Sequence, residues 1–425
     1  MKEVPPPAPG TIAHLFDPAA VSPQPRFFVA RMAACSGLSA LSIDILLPAF
    51  PKMRRSFGLA TDSTRVSLVI TVFFLGLAAG QLVYGPLSDR FGRRPLLLIG
   101  LGVFVGGAFA TSLSGTLATT LVFRFVWGLG AAACRSLSIA MVRDTSSGDR
   151  MARTLSLVMA TFIVVPVIAP SVTAGLLHLA PWRIVYWIPI VCAVALAVSV
   201  VLMPETLPVE RRRSVGPAAL LDAMKTIGRT RGTVGYGLAV LFLFGVMSSY
   251  IGGSQTIFDE VFHQRERFPL LFGVVAIGMG AGALASARIV SRVGLDRLLR
   301  ALVVALSVNA SLLLGGALIF GGKPPLWLFV ASLFVFLPSC SVLIASCNTA
   351  AMMPVATVAG MAAALLGTIS TAGGSLLGAV SDHVFNGSVT PFAACAFGYA
   401  AVATVCIRVI AQRVPRPEPA LVATT

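Results

Sequence analysis

Two opposite charges within otherwise apolar stretches are the residues of this sequence best suited to chemistry. Asp44 lies in the run 27–50 and Arg124 in the run 118–141. Each is about six residues, or roughly 9 Å of helix, from the end of its run that we predict to face outward. A carboxylate can gain and lose a proton, whereas arginine keeps its charge. We therefore expect Asp44 to carry a proton and Arg124 to control its release.

A structural interpretation of the same two residues stays open. They could form a fixed ion pair between two helices, or Asp44 could reach the membrane interface near Pro48. A charge that faced lipid would cost at least about 2.5 kcal/mol. Both side chains should therefore face the protein interior, and most simply a shared cavity.

Polar and aromatic residues inside the apolar runs are candidates for contacting a bound molecule. Each could instead bridge two helices. A cavity that they lined, with one acid and one base, would suit a moderately lipophilic, neutral or singly charged molecule better than a sugar or a phosphate ester. These residues are Gln81, Trp127, Tyr250, Gln255 and Asn348.

The elements that must position these side chains are transmembrane helices. The chain is 56% hydrophobic and 11% charged, with a mean hydropathy of +0.90, whereas soluble domains are about 45–50% apolar and about 25% charged. Lipid cannot satisfy backbone polar groups, so the spans must be helical. We predict an all-α membrane protein with twelve spans of about 20 residues each, at 27–50, 65–86, 95–114, 118–141, 154–177, 184–203, 234–257, 268–289, 299–320, 325–348, 359–382 and 389–411.

The longest gap between spans divides the chain into six spans plus six. The first 26 residues are rich in proline and contain no apolar run, so we predict a disordered tail and no signal peptide. The predicted organisation is a tail (1–26), a six-helix bundle (27–203), a linker (204–233), a second six-helix bundle (234–411) and a tail (412–425).

The distribution of Lys and Arg predicts that both termini are cytoplasmic, because the segments on that side hold most of the 32 basic residues. The first outer loop, which contains Lys52, Arg54, Arg55 and Arg65, runs against this rule. The basic residues are scattered over short loops, so we expect no nucleic-acid partner. Cysteine and histidine spacings match no metal site, and no hydrolase motif occurs. We expect neither an enzyme nor a bound metal.

The loop after the second span, GPLSDRFGRR (85–94), places one acid among three arginines. A basic turn that sets orientation would explain the arginines but not Asp89 or the spaced glycines. Gly85 would permit close helix approach at the end of the span, and Gly92 would permit a positive φ in a tight turn. The acid and the spaced glycines therefore need an explanation beyond membrane orientation.

This loop resembles the signature of the major facilitator superfamily. Further stretches of the first half are similar to the bicyclomycin/chloramphenicol resistance (Bcr/CflA) branch of drug:proton antiporters, whereas the second half carries little signature. The stretches are SIDILLPAFPKM (42–53), GQLVYGPLSDRFGRRP (80–95), RFVWGLGAAA (124–133), MVRD (141–144), PWRIVYW (181–187) and PETLP (204–208).

The resemblance implies two helix bundles that work by alternating access. It also implies that the loop latches against the second half in the outward-facing state, through Gly85, Asp89, Arg90, Gly92, Arg93 and Arg94. The antiporter motif of the fifth span is reduced here, although its Pro166 and Pro170 remain as hinge candidates. Trp127 stands where the branch usually has glutamine.

These observations together predict a proton-coupled exporter of small molecules in a bacterial inner membrane. Its partners would be the substrate, protons and the lipid bilayer, with the proton as coupling ion and no cofactor. We expect a monomer. Two alternatives stay open: an exporter or importer of an endogenous metabolite on the same fold, and a membrane sensor that transports nothing.

Overall fold

The computed structural model describes residues 25–212 and 224–411. This part of the chain contains twelve helices long and apolar enough to cross a membrane, which confirms the predicted number. The tails and most of the linker lie outside the described residues. Spans 1 to 12 are Phe27–Ser56, Thr64–Phe91, Arg93–Leu113, Leu117–Thr145, Arg153–Leu179, Trp182–Val201, Arg231–Val261, Phe268–Val290, Leu295–Ile319, Leu326–Val355, Gly360–His383 and Thr390–Ala411.

The end of the molecule that carries residues 57–63 and 262–267 is called the outer end here, and the opposite end the inner end. The predicted boundaries of span 1 were wrong at its outer end, because the span continues through PKMRRS to Ser56. Arg54 is only 1% exposed. It is a buried contact residue rather than a loop residue.

Span 1 is broken at the acid singled out above. Its first helix is Pro25–Asp44, and a 3₁₀ turn (Leu47–Ala49) and a short helix (Phe50–Ser56) follow. In a continuous helix the ring of Pro48 would clash with the carbonyl of Asp44, four residues earlier. The proline therefore ends the helix at Asp44 and places its carboxyl group at a helix C-terminus inside the membrane.

Within the first half, span 4 crosses span 2 at close range. A Cβ atom built at Gly76 would lie 2.1 Å from the carbonyl oxygen of Phe125, and one at Gly128 would lie 2.1 Å from that of Phe73. Only glycine allows the two backbones to approach this closely. In the second half, span 7 packs in a similar way against spans 10, 11 and 12.

The two halves meet mainly where span 2 contacts span 11 and span 5 contacts span 8. Near the middle of span 2, Thr368 donates to the carbonyl of Ala78 at 3.0 Å. At the outer end, Arg54 donates to the hydroxyl of Thr256 at 2.5 Å. Asp62, Asp259 and Glu260 also attract this guanidinium. The outer end of the molecule is therefore closed.

Candidate functional site

Arg124 is fully buried and is held by backbone carbonyls and aromatic rings. Its Nε donates to the carbonyl of Val69 at 3.0 Å and its Nη1 to that of Ser42 at 3.1 Å. The guanidinium carbon lies 4.4 Å from the ring centre of Phe73 and 4.6 Å from that of Trp127. Such cation–π contacts are worth about 2 kcal/mol when desolvated. Its Nη2 has no partner among the described residues.

Asp44 and Arg124 do not form an ion pair in this structure. The three ion pairs found in the described part of the chain involve other residues. Arg124 instead binds the carbonyl of Ser42, two residues before the break in span 1. The arginine is thus linked to the backbone that positions Asp44 rather than to its carboxyl group.

Asp44 is buried within electrostatic range of the second half of the protein. The residue is 5% exposed, and its charge acts on Tyr250 of span 7. The ring of Tyr250 stacks on Phe272 of span 8, with ring centres 5.4 Å apart. The Tyr250 hydroxyl has no hydrogen-bond partner among the described residues. The predicted proton carrier and one predicted substrate contact, from different halves, are therefore electrostatically coupled.

Trp127 lies inside the first half. It is fully buried, and its ring centre is 6.1 Å from that of Phe73, 5.5 Å from that of Phe104 and 5.9 Å from that of Tyr186. These rings belong to spans 2, 3 and 6. Trp127 and Arg124 share the Phe73 ring, so the tryptophan supports the arginine directly. Its influence on substrate range stays a prediction.

We expect Trp127→Gln to lower the free energy of unfolding by roughly 3 kcal/mol, because it removes a large buried ring from this aromatic cluster. Substrate affinities should change as well, because Arg124 loses one face of its support. Thermal unfolding in detergent and ligand titration measure the two effects. Trp187, which is 43% exposed, gives the control variant Trp187→Gln. Unchanged stability and unchanged affinities in Trp127→Gln would contradict this role.

The remaining substrate candidates lie apart from one another. Gln81 is half-buried, and its Oε1 lies 2.8 Å from the position of a Cβ at Gly367 in span 11. Gln255 donates to Asp259 at 3.1 Å at the outer end of span 7. Asn348 is half-buried in span 10. Gln81 therefore lies between the halves, whereas Gln255 is already bound to an acid that also pairs with Arg265.

The basic loop at the inner end of span 2 forms a network within the first half. Arg93 pairs with Asp89 at 2.7 Å and with Asp144, of the MVRD stretch, at 2.9 Å. Its Nη1 also donates to Ser88 at 2.6 Å. The ion pairs of Asp89 and Arg93 in the described part of the chain all stay in this half, and the latch against the second half stays a prediction.

The other two arginines of the loop take different positions. Arg90 is exposed and lies over the ring of Phe91, 5.1 Å from its centre. Arg94 is half-buried and donates to the carbonyl of Val201 at the end of span 6. The loop is therefore attached to spans 4 and 6 of its own half through Arg93 and Arg94.

Glu205 holds the start of span 3, and the sequence analysis did not single it out. Its carboxylate accepts the backbone N–H groups of Arg93 at 2.9 Å and Arg94 at 3.1 Å. A carboxylate is favoured at a helix N-terminus because of the free N–H groups and the helix dipole there. The PETLP stretch, which contains Glu205, was the only signal in the sequence.

The two glycines of the loop differ in their roles. Gly92 has φ +103°, and a Cβ there would lie 2.6 Å from the carboxylate of Glu205. The prediction of a positive φ is confirmed, and the residue also makes room for the cap. The interpretation of Gly85 as a close-approach residue was wrong, because a Cβ there would meet nothing within 4 Å. The backbone at that point faces open space rather than another helix.

We expect Glu205→Gln to lower the free energy of unfolding by about 1–3 kcal/mol, because the amide NH2 cannot accept one of the two backbone hydrogen bonds and the other loses its charge assistance. Transport turnover should fall with it, since the loop of span 2 loses its anchor. The matched control is Glu210→Gln, five residues on, where the glutamate is exposed. Equal unfolding temperatures for the two variants would show that the cap contributes nothing.

Pro166 and Pro170 lie inside the continuous helix Gly148–Leu179 of span 5. This span packs against span 1 of its own half and span 8 of the other. Three residues after Pro170, the hydroxyl of Thr173 donates to the carbonyl of Ile45 at 2.8 Å, next to the break in span 1. The helix that carries both prolines thus touches the backbone beside Asp44, and the hinge role stays a prediction.

Comparisons with known proteins agree with this architecture. The family model described as Major Facilitator Superfamily matches residues 32–379. The MFS-type transporter YdgK of Bacillus subtilis is 31% identical over 80% of this chain and 84% of its own length. A bicyclomycin resistance protein homolog of Haemophilus influenzae is 26% identical over 83% of this chain and 88% of its own length. A chloramphenicol resistance protein of Pseudomonas aeruginosa is 30% identical over 62% of each chain.

Two solved structures share the fold at low sequence identity. The xylose transporter XylE from E. coli, in a partially occluded inward-open conformation, superposes with a TM-score of 0.67 at 12% identity, over 92% of this chain and 98% of that one. The human organic anion transporter MFSD10 superposes with a TM-score of 0.64 at 18% identity, over 91% of this chain and 99% of that one. The predicted fold, with six spans in each half, is confirmed.

Proposed function

Because the chain belongs to the Major Facilitator Superfamily, we propose that it exports moderately lipophilic small molecules across a bacterial inner membrane in exchange for protons. Both termini would lie in the cytoplasm. Relatives named for bicyclomycin and chloramphenicol resistance support an antibiotic or multidrug substrate range. The protein is a multi-pass membrane transporter, and alternating access between its two halves would move the substrate.

The observation that carries this proposal is the burial of Asp44 at a helix break in span 1, within electrostatic range of Tyr250 in span 7. The acid lies at a helix break in the first half, and the phenol belongs to the second half. Alternating access separates the halves at one end and then at the other, so each switch changes the surroundings of Asp44. A carboxyl group placed this way can gain a proton in one state and lose it in the other.

Arg124 would couple that proton to movement. Its guanidinium stays charged and binds the carbonyl of Ser42, close to the helix end that carries Asp44. The negative end of that helix dipole also lies at the acid. Proton binding removes the repulsion between the carboxylate and the helix end, and Arg124 is placed to transmit the resulting backbone shift to span 4.

Aromatic residues at Tyr250 and between the halves support the proposed substrate class. Its ring stacks on Phe272, and Phe74 meets Phe244 between the halves with ring centres 5.3 Å apart. Aromatic and apolar walls with one ionisable acid favour lipophilic molecules. One proton entering supplies about 2.3 kcal/mol per 100 mV plus about 1.4 kcal/mol per pH unit, and roughly 3.7 kcal/mol sustains a gradient of a few hundred-fold.

The test is transport by the purified protein in proteoliposomes. Ligands found by thermal shift among antibiotics and amphipathic metabolites are radiolabelled, and counterflow is measured without a gradient. An imposed pH gradient, acidic inside for inside-out molecules, should then drive accumulation that a protonophore abolishes. Counterflow of no ligand would favour a sensor. Counterflow without accumulation in response to the pH gradient would indicate facilitated diffusion. Ligands found only among metabolites would favour the metabolite transporter.

A further inference from the structure

A second buried acid lies at the outer contact between the halves. Asp382 lies at the outer end of span 11, as its predicted boundary at 382 indicates. The structure adds that this acid is buried, with 6% of the residue exposed. A Cβ built at Gly252 would lie 2.5 Å from one carboxyl oxygen of Asp382, and one at Gly253 would lie 2.9 Å from the other. Span 7 thus has room for this side chain only because both positions are glycine.

The first half covers Asp382 with a hydroxyl group. Ser67, at the start of span 2, approaches the same glycine as Asp382, with its Cβ 3.5 Å from the position of a Cβ at Gly252. The same hydroxyl donates its one hydrogen to the carbonyl of Thr64 at 2.8 Å. While that bond lasts, the hydroxyl has no hydrogen left to donate to a carboxylate at Asp382. A protonated, neutral carboxyl group needs no such donor.

No positive charge offsets a carboxylate at this position in the described part of the chain. The ion pairs there do not include Asp382. Arg54 lies nearby on Thr256, but its electrostatic partners are other acids. The titratable group that interacts with Asp382 is Tyr399 of span 12, whose hydroxyl donates to the carbonyl of Leu377 at 2.9 Å. An unpaired buried carboxylate is costly, and gaining a proton removes that cost.

A small cavity adjoins the acid. Its volume is about 10 Å³, which is near the lower limit for one water molecule. Its walls combine hydroxyl groups of both halves with two phenylalanines. They are formed mainly by Thr64, Ser249, Thr256, Asp382, Phe385 and Phe392. Separation of the halves at the outer end would join this space to the outside water.

We propose that Asp382 is a second proton-binding site, which controls the outer contact between the two halves. With a proton on Asp382, Ser67 and the two glycines can close over a neutral group. When the outer end opens, outside water reaches the carboxyl group, solvates the carboxylate and accepts its proton. Rebinding of a proton from the outside then permits closure. In the cycle of the proposed function, on which this reading rests, that step would follow release of the substrate.

The experiment measures the outer end directly, without substrate or gradient. Spin labels are attached at Thr61→Cys and Asn386→Cys, two exposed loop positions of opposite halves, in a background where the accessible Cys192 and Cys395 are replaced by serine. Pulsed electron resonance in nanodiscs gives the distance distribution as a function of pH. If one proton binds only the closed state, the ratio of open to closed molecules rises about tenfold per pH unit across the transition.

We expect the ratio of open to closed molecules to rise with pH in the otherwise unaltered protein and in Asp382→Glu. In Asp382→Asn the pH dependence should be lost, and the outer end should stay closed at every pH. Ser67→Ala should shift the midpoint, and Asp44→Asn should keep the transition. An Asp382→Asn protein with the pH-dependent distances of its parent overturns the proposal. If the Asp382→Asn variant does not fold, infrared difference spectra of the parent protein between the two pH extremes provide the test. A carboxyl band that arises from Asp382 should change in the Ser67→Ala variant. A band that Ser67→Ala leaves unchanged counts against the site.

This measurement separates the inference from the proposed function. A protein that fails to export in proteoliposomes but opens with pH at its outer end would refute proton-coupled efflux and leave Asp382 as the gate acid. A protein that exports against a gradient but has a pH-independent outer end would support proton-coupled efflux and refute the role of Asp382.

Discussion

Asp44→Asn should abolish uphill, proton-driven transport and leave downhill exchange in place. Asparagine mimics the protonated acid in size and polarity but cannot release a proton. The site opposite Tyr250 then no longer changes charge between states, so the gradient cannot drive the cycle. In inside-out vesicles, accumulation should fall from as much as a few hundred-fold to none, while counterflow continues. Substrate binding should also lose its dependence on pH.

The control for this substitution is Glu266→Gln, which removes an exposed acid of the outer loop between spans 7 and 8 and should leave accumulation unchanged. Asp44→Glu tests the chemistry, because a longer carboxyl group restores a titrating site and should recover part of the coupling. An Asp44→Asn protein that still concentrates substrate at the parental rate would show that Asp44 is only structural, and the coupling proton would have to bind elsewhere.

Arg124→Ala should have the second largest effect, on both stability and transport. It leaves the carbonyls of Val69 and Ser42 without their donor and removes the charge from between two aromatic rings. Hydrogen bonds from a charged donor are worth about 1.5–3 kcal/mol each, so we expect several kcal/mol of destabilisation and loss of transport. Arg124→Lys should fold better, because it keeps the charge, but it cannot donate in both directions with the same geometry.

A matched control is Arg183→Ala. Arg183 makes similar contacts, with one bond to the carbonyl of Ser114 at 2.9 Å and one ring contact with Trp182 at 4.6 Å, but it is only half-buried, at the start of span 6. The Arg183→Ala substitution should lower the unfolding temperature slightly and leave transport intact. If both alanine variants behave alike, Arg124 is an ordinary packing arginine. If Arg124→Ala is stable and transports normally, the proposed coupling through Ser42 is wrong.

The sequence by itself determined the features that depend on composition along the chain. Twelve apolar runs became twelve spans, because any run of that length in lipid must form a helix. Gly92 has the positive φ expected for glycine in the tight turn between spans 2 and 3. The loop and the stretches of the first half also sufficed to predict the superfamily.

The tertiary structure alone decided which side chains meet. Hydropathy reports how apolar a segment is, but not which face of its helix points to a neighbour, because that depends on helix rotation and crossing angle. For this reason Arg124 binds the carbonyl of Ser42 rather than the carboxyl group of Asp44, and Trp127 lies among rings of its own half. For the same reason Arg54 and Asp382, at the ends of their spans, are buried contacts between the halves. A charged residue at a span end reads as a loop residue in sequence, and only packing of the second half against the first takes it out of water.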